Sequence, residues 1–193
     1  FNQNKTTMKK IFFLLSAVVM TAISVSAQDL ATATETFNNG AMELQMGNME
    51  AALTNFQSAL EMAEALGEQG AEIATNCKGA IPQVMFSIAK GLIKDENYEG
   101  ALAQLEATIA AANKYESADV AAETAEFSPQ VYMQQGNTAL KAKDMATAVA
   151  AYTKVIELEP ANGNAMLRLG QVYAATGKVD EAVATFEQAA ANG

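Results

Sequence analysis

The stretch GQVYAATGKVDEAVATF, residues 170–186, decides the fold. It places Gly170, Gly177 and Ala182 among large apolar residues such as Tyr173 and Phe186. Glycine inside a helix costs roughly 1 kcal/mol relative to alanine, so each small residue indicates a turn or a close approach of two helices. Polar residues around Gly177 separate two segments with helical apolar spacing, which predicts a helix, a turn and a second helix.

The same spacing occurs four times, in residues 33–66, 82–115, 129–162 and 163–193. We number the positions of each repeat from its first residue. Position 8 is then always small, position 20 is alanine, and position 24 is large and mainly apolar. In chain order these residues are Gly40, Ala89, Gly136 and Gly170 at position 8; Ala52, Ala101, Ala148 and Ala182 at position 20; and Phe56, Leu105, Tyr152 and Phe186 at position 24. Each repeat is predicted to be a helical hairpin whose two helices touch through positions 8 and 20.

This pattern resembles the tetratricopeptide repeat (TPR), a 34-residue helix-turn-helix unit. The fourth repeat matches best, and the third follows it and closes with Pro160. The resemblance implies an all-α, right-handed solenoid of about four stacked hairpins. Because the fourth repeat reaches Gly193 without a polar capping helix, we expect the array to continue beyond that residue.

Extra segments follow the first two repeats: GEQGAEIATNCKGAI, residues 67–81, and ESADVAAETAEFS, residues 116–128. Both are rich in alanine and acidic residues, and they lead into Pro82 and Pro129. We expect added helical turns that lengthen the next first helix and bend near the proline, with polar linkers as the alternative.

The N-terminal residues form a different segment. Seven residues that look like read-through upstream of the true start precede Met8, which is followed by two lysines, an apolar run, and small residues at Val25 and Ala27. This order is typical of a secretory signal peptide, here Met8–Ala27, cleaved after Ala27; an uncleaved membrane anchor is the alternative. The sequence thus predicts an exported protein of a Gram-negative bacterium, periplasmic or associated with the envelope, in which residues 28–193 form the array.

Composition excludes several classes of function. Removing residues 1–27 takes away three lysines and no acid, so the net charge of −10 becomes about −13, which disfavours nucleic acid and anionic membranes as partners. Without histidine the chain lacks the usual catalytic triads and most zinc sites, and Cys77 has no disulfide partner. Ser87 with Lys90 or Lys94 is a weak candidate dyad. We predict a non-enzymatic protein with no cofactor, no metal and no stable membrane insertion after cleavage.

The resemblance implies that the first helices line a concave face that binds a peptide or protein segment. On this face position 5 is apolar, and the positions beside it carry amides and a few cations but no acid. The predicted groove consists of Phe37, Asn38, Phe86, Lys90, Lys94, Met133, Gln134, Asn137, Lys141, Asn164, Leu167, Arg168 and Gln171.

Such a groove suits an extended acidic-apolar segment. Partly buried first helices that avoid charge would explain the same composition. The function predicted is a protein-interaction scaffold in the cell envelope; the alternative is a self-associating array whose groove or open ends bind another copy.

Overall fold

The computed structural model describes residues 27–192. These residues contain eight α-helices, one 3-10 helix and no strand, so the all-α prediction is confirmed. The α-helices are α1 (27–46), α2 (Met49–Ala65), α3 (Ala71–Lys94), α4 (Tyr98–Lys114), α5 (Ala118–Lys141), α6 (Met145–Leu158), α7 (Gly163–Ala175) and α8 (Val179–Asn192), and the 3-10 helix spans Gly67–Gly70.

The two extra segments are helical. The first forms the 3-10 helix and the start of α3, and the second forms most of the first half of α5. Both α3 and α5 are 24 residues long and contain their proline, Pro82 or Pro129, in the helix interior. Lengthened first helices are therefore observed, and the linker alternative is wrong.

The helices divide into two compact units, the first ending at Val84 and the second beginning at Met85. α3 runs through this boundary. The first unit holds α1, α2, the 3-10 helix and the start of α3; the second holds the end of α3 and α4 to α8.

The small residue at position 8 makes room for the ring at position 24. A Cβ added at Gly170 would lie 2.6 Å from Cε1 of Phe186, and one added at Gly136 would lie 2.6 Å from Cε1 of Tyr152. Gly40 faces Phe56 in the same way, at 2.9 Å. The atoms nearest to position 8 thus belong to the ring at position 24, which the prediction of a contact between positions 8 and 20 did not include.

The second repeat follows the same rule with different residues. It has Ala89 at position 8 and Leu105 at position 24, and both are buried in one cluster with Phe86, Ala101 and Val131. Where position 8 carries the methyl group of Ala89 instead of a glycine, position 24 carries Leu105 instead of a larger aromatic ring. The alanines at position 20 are buried in all four repeats.

Consecutive hairpins of the second unit pack through further apolar contacts. One cluster combines Ala139, Ala148 and Tyr152 of the third repeat with Leu169 and Val172 of the fourth. Tyr152 is fully buried, and its hydroxyl donates a 2.9 Å hydrogen bond to Oδ1 of Asn137. Burial raises the pKa of this hydroxyl, and the positive charge of Arg168 opposes that shift.

Each hairpin turns at position 15, where the backbone is left-handed. The residues are Gly47, Glu96, Lys143 and Gly177, with φ of 84°, 57°, 61° and 78°. After this residue the next amide bonds back into the helix, as Lys178 N does to Tyr173 O at 3.0 Å. This is the αL helix ending that glycine adopts without strain, so the turn predicted at Gly177 is confirmed.

Lys143 has a Cβ and adopts the same left-handed backbone, which is strained for residues other than glycine. We therefore expect Lys143→Gly to stabilise the protein. Relief of left-handed strain is worth about 1 kcal/mol. Urea unfolding followed by circular dichroism measures the gain. Gly177→Ala is the matched reverse change and should cost a similar amount; a loss of stability in Lys143→Gly would contradict the account of this turn.

Cys77 is buried on α3 and has no disulfide partner. Desolvation raises the pKa of its thiol to about 11, so the reactive thiolate is scarce at neutral pH. This agrees with a packing role for the side chain.

The signal peptide predicted at Met8–Ala27 lies outside the described residues apart from Ala27 itself. Within residues 27–192, no helix combines the length and apolar character that crossing a membrane requires.

Candidate functional site

The predicted groove residues fall into both units. Phe37 and Asn38 lie on α1 in the first unit, where Phe37 is half-buried with its ring 5.3 Å from that of Phe56. The other eleven lie on α3, α5 and α7 in the second unit.

Phe86 does not form part of an accessible apolar stripe. It is only 4% exposed, and its ring meets that of Phe127 edge-on at a centroid distance of 4.9 Å. Phe127 lies in the helical extension of α5, residues 118–128, which comes from the second extra segment. It was not among the predicted site residues. The extension therefore covers position 5 of the second repeat, and this predicted groove residue is corrected to a core residue.

Lys90 is engaged within the protein. Its Nζ lies 3.7 Å from the ring centroid of Phe86 and 5.3 Å from that of Phe127, and it pairs with Oε1 of Glu123 at 3.6 Å. Glu123 also comes from the α5 extension, so an acid stands beside a surface predicted to lack acids. The three partners hold the lysine over the aromatic pair.

A cleft of about 320 Å³ lies between α5 and α7. It brings together Met133, Gln134 and Asn164 from the predicted groove. The remaining lining residues were not predicted as site residues: Pro129, Gln130, Glu159 and Asn162. Side-chain amides dominate this lining, so we call it the amide cleft.

Two of the lining residues are fixed by the start of α7. Asn162 caps the helix by accepting a 2.9 Å hydrogen bond from Ala165 N, while its Nδ2 donates to Oε2 of Glu159 at 2.6 Å. An asparagine just before a helix is a strong capping signal, and it could have located this rim from sequence.

Among the described residues, the side chains of Gln130, Gln134 and Asn164 make no hydrogen bond.

Other predicted residues surround the amide cleft on the same helices. Leu167, Arg168 and Gln171 are exposed on α7, and Arg168 Nη1 donates a long 3.5 Å hydrogen bond to Gln171 Oε1. Asn137 is half-buried, and its Oδ1 accepts the hydrogen bond from the Tyr152 hydroxyl. Lys94 and Lys141 are exposed in the last turns of α3 and α5.

A second cleft, of about 620 Å³, lies between α4, α5 and the end of α6. Apolar side chains supply most of its lining: Leu102, Ala103, Ile109, Ala110, Tyr132 and Leu158, together with Glu106, Asn113 and Ser128. It offers fewer hydrogen-bonding side chains than the amide cleft and contains none of the predicted groove residues.

The described residues offer little for catalysis. Across this part of the chain, no group of three or more Cys, Asp or Glu side chains could hold a metal ion. Lys90, the base in one candidate dyad, is ion-paired with Glu123. The raised thiol pKa of Cys77 also disfavours a nucleophilic role.

Four helical hairpins with a shared packing rule and a shared turn define an all-α repeat protein. Residues 139–193 match the family model of the tetratricopeptide repeat. With this match and the observed hairpins, the predicted resemblance to the tetratricopeptide repeat is confirmed.

No curated protein sequence matches the chain. Among solved structures, it is similar to MamA at 17% identity, covering 79% of this chain and 93% of that one with a TM-score of 0.38. It is also similar to PilF of Pseudomonas aeruginosa at 18% identity, 86% and 78% coverage and a TM-score of 0.37. YrrB, described as a TPR protein with an unusual peptide-binding site, gives 18% identity, 80% and 82% coverage and a TM-score of 0.33.

Proposed function

We propose that the protein is a non-enzymatic interaction scaffold that binds an extended protein segment in the amide cleft. The observation that carries this proposal is the set of side-chain amides at the cleft that have no partner among the described residues. Gln130, Gln134 and Asn164 are exposed there on two neighbouring first helices. The resemblance to the tetratricopeptide repeat supports the same proposal, since arrays of this kind bind partners on their concave surfaces.

The chemistry of the cleft suits a peptide backbone. Each carboxamide offers both a donor and an acceptor, as does each peptide group of an extended segment. Half-buried Met133 supplies an apolar, adaptable surface between the amides. Backbone hydrogen bonds would give affinity, and an apolar side chain over Met133 would give selectivity.

One exposed cation beside the cleft favours an acidic residue at that side of the segment. Glu159 keeps its negative charge while Asn162 donates a hydrogen bond to it, so a ligand carboxylate is expected towards exposed Arg168, on the next turn of α7 from Asn164. Because Lys90 is held by Glu123, Arg168 replaces it as the cation expected to meet a ligand carboxylate. An acidic-apolar segment is therefore the proposed partner.

The test uses fluorescent unstructured peptides that alternate acidic and apolar residues, with lysine-containing peptides of the same apolar content as a comparison set. We expect Gln134→Ala/Asn164→Ala to weaken binding of the acidic set by about tenfold, which corresponds to 1.4 kcal/mol. Arg168→Glu should weaken the acidic set and spare the lysine set.

Gln57→Ala is the matched control, because it removes an exposed amide from α2 and leaves the cleft intact. Fluorescence polarisation gives the affinities. Equal binding by all variants, or a preference of the wild type for the lysine peptides, would show that the amide cleft is not the binding site.

We propose further that the scaffold works in the bacterial cell envelope. The basic start, apolar run and small residues before Gln28 support export. Intact-mass analysis of the protein from envelope fractions should find Gln28 as the first residue. A chain that keeps its apolar run, or one found only in the cytoplasm, would contradict export with cleavage.

A further inference from the structure

The second cleft, of about 620 Å³, follows one face of α4, and we call it the apolar cleft. Most of its lining residues come from that helix: Leu102, Ala103, Glu106, Ile109, Ala110 and Asn113. Their spacing of i, i+1, i+4, i+7, i+8 and i+11 places them on one side of an α-helix. At 1.5 Å per residue this side is about 16 Å long, which is about three helical turns. The apolar cleft is thus elongated along α4.

The opposite wall of the apolar cleft leaves further apolar surface uncovered. Tyr132 and Ser128 are half-buried on α5, and Leu158, the last residue of α6, is 52% exposed. Leu102 and Ile109 face them from α4 and are only half-buried. Covering these side chains would remove apolar surface from water, which favours a bound partner.

Small side chains on α4 leave room for a helix to approach. At position 29 the first and third repeats carry glutamates, Glu61 and Glu157, whereas the second carries Ala110. Ala103 lies two turns earlier on the same side of α4, and both alanines are exposed. Because the distance between packed helix axes depends on the side chains at the contact, two alanines allow a close approach.

The lining favours a helical partner over an extended one. An extended segment needs hydrogen-bond partners along its whole backbone, whereas an α-helix pairs its backbone groups internally. On the α4 side of the apolar cleft only Glu106 and Asn113 can hydrogen-bond, and they lie about 10 Å apart along the helix. The amide cleft differs in this respect, since carboxamides dominate its lining.

The charge of the apolar cleft favours a cation on the partner. Among the lining residues that the structure describes, only Glu106 is charged, and it lies midway along the α4 side. Within residues 27–192 its carboxylate makes no ion pair and no hydrogen bond. The chain as a whole has a net charge of −10, which also attracts cationic partners.

We propose that the apolar cleft is a second docking site, which binds an amphipathic helix of a partner protein that carries lysine or arginine beside its apolar stripe. The apolar stripe would pack on Leu102, Ile109 and Leu158, and the cation would pair with Glu106. Such a partner reads as apolar residues at i, i+3, i+4 and i+7. The chemistry is opposite in charge to that proposed for the amide cleft, so the two clefts select different partners.

The test uses two fluorescent, stapled helical peptides of about 15 residues, long enough to cover the cleft. Both carry a leucine stripe, and one has lysine and the other glutamate at its edge. The full chain should prefer the lysine peptide by about fivefold in fluorescence polarisation, and Glu106→Lys should reverse that preference. Glu187→Lys is the matched control, because Glu187 occupies the same position of the fourth repeat, outside the cleft.

Ala110→Gln tests the close approach of the helix without a change of charge. It should weaken binding of both peptides by about tenfold, because a larger side chain holds the two helices apart. Ala107→Gln is its control, since Ala107 is exposed on α4 and does not line the cleft. Circular dichroism should show equal helicity in all variants. Gln134→Ala/Asn164→Ala should bind the lysine peptide like wild type, which separates this site from the amide cleft.

Four outcomes would overturn the proposal. The first is that wild type binds neither peptide or prefers the glutamate peptide. The second is an unchanged preference in Glu106→Lys, and the third is loss of helix binding in Gln134→Ala/Asn164→Ala, which would place the helix in the amide cleft. The fourth is self-association of wild type in sedimentation velocity that Ala110→Gln abolishes, because the occupant would then be a second copy of this chain.

Discussion

Replacing Gly70 with alanine is expected to lower the free energy of unfolding by about 3 kcal/mol, the upper part of the range for overpacked sites. Gly70 is buried at the end of the 3-10 helix, against the last turns of α2. A Cβ there would lie 2.7 Å from both Cα and C of Ala63, with the carbonyl oxygen of Ala63 closer still. No side-chain rotation relieves a clash with backbone, so the 3-10 helix must move away from α2.

Gly79→Ala is the matched control in the same unit, because an added Cβ at Gly79 meets nothing within 4 Å. It should raise stability by up to about 1 kcal/mol through helix propensity. Both changes are measured by urea unfolding. Equal effects of the two substitutions would mean that the 3-10 helix does not press on α2 as described.

Gly136→Ala is expected to cost about 1–2 kcal/mol net, which is the overpacking penalty less the gain in helix propensity. The new methyl group would overlap the ring of Tyr152, and this ring is held by full burial and by its hydrogen bond to Asn137. Gly91→Ala, on α3 of the same unit, has open space at its Cβ and should be neutral or stabilising.

A second substitution shows whether the ring of Tyr152 causes the loss of stability in Gly136→Ala. Tyr152→Leu in the Gly136→Ala background recreates the Ala89 and Leu105 pair of the second repeat. We expect the two changes to compensate with a coupling energy of about 1 kcal/mol or more. Simple additivity in this double-mutant cycle would contradict the pairing of positions 8 and 24.

The hairpins and their turns could be predicted from sequence because both depend on local spacing. The residue of the second helix that packs nearest to position 8 could not be predicted in the same way. Positions 20 and 24 lie one turn apart on the same helix face, and the sequence does not say which of them meets Gly170. Side chains on a helix lean towards its N-terminus, so the ring at Phe186 can reach back over the turn that carries Ala182.

The candidate site was predictable only in part, for a related reason. Gln134 and Asn164 follow from repeat positions, and they do line one cleft. The positions of Glu123 and Phe127 depend on where the extended half of α5 packs against α3, which is a long-range contact without a local signal. Phe127 is the one aromatic residue in that segment of alanine and acidic residues, and it is the hint in the sequence that Phe86 is covered.

The central claim is that a partner segment occupies the amide cleft, and side-chain amide resonances of ¹⁵N-labelled protein test it most directly. On titration with an acidic-apolar peptide, the largest shifts should come from Gln130, Gln134 and Asn164, with little change at Gln57. Shifts confined to Asn113, in the larger apolar cleft, or no shift at any of these amides while the peptide binds, would contradict it.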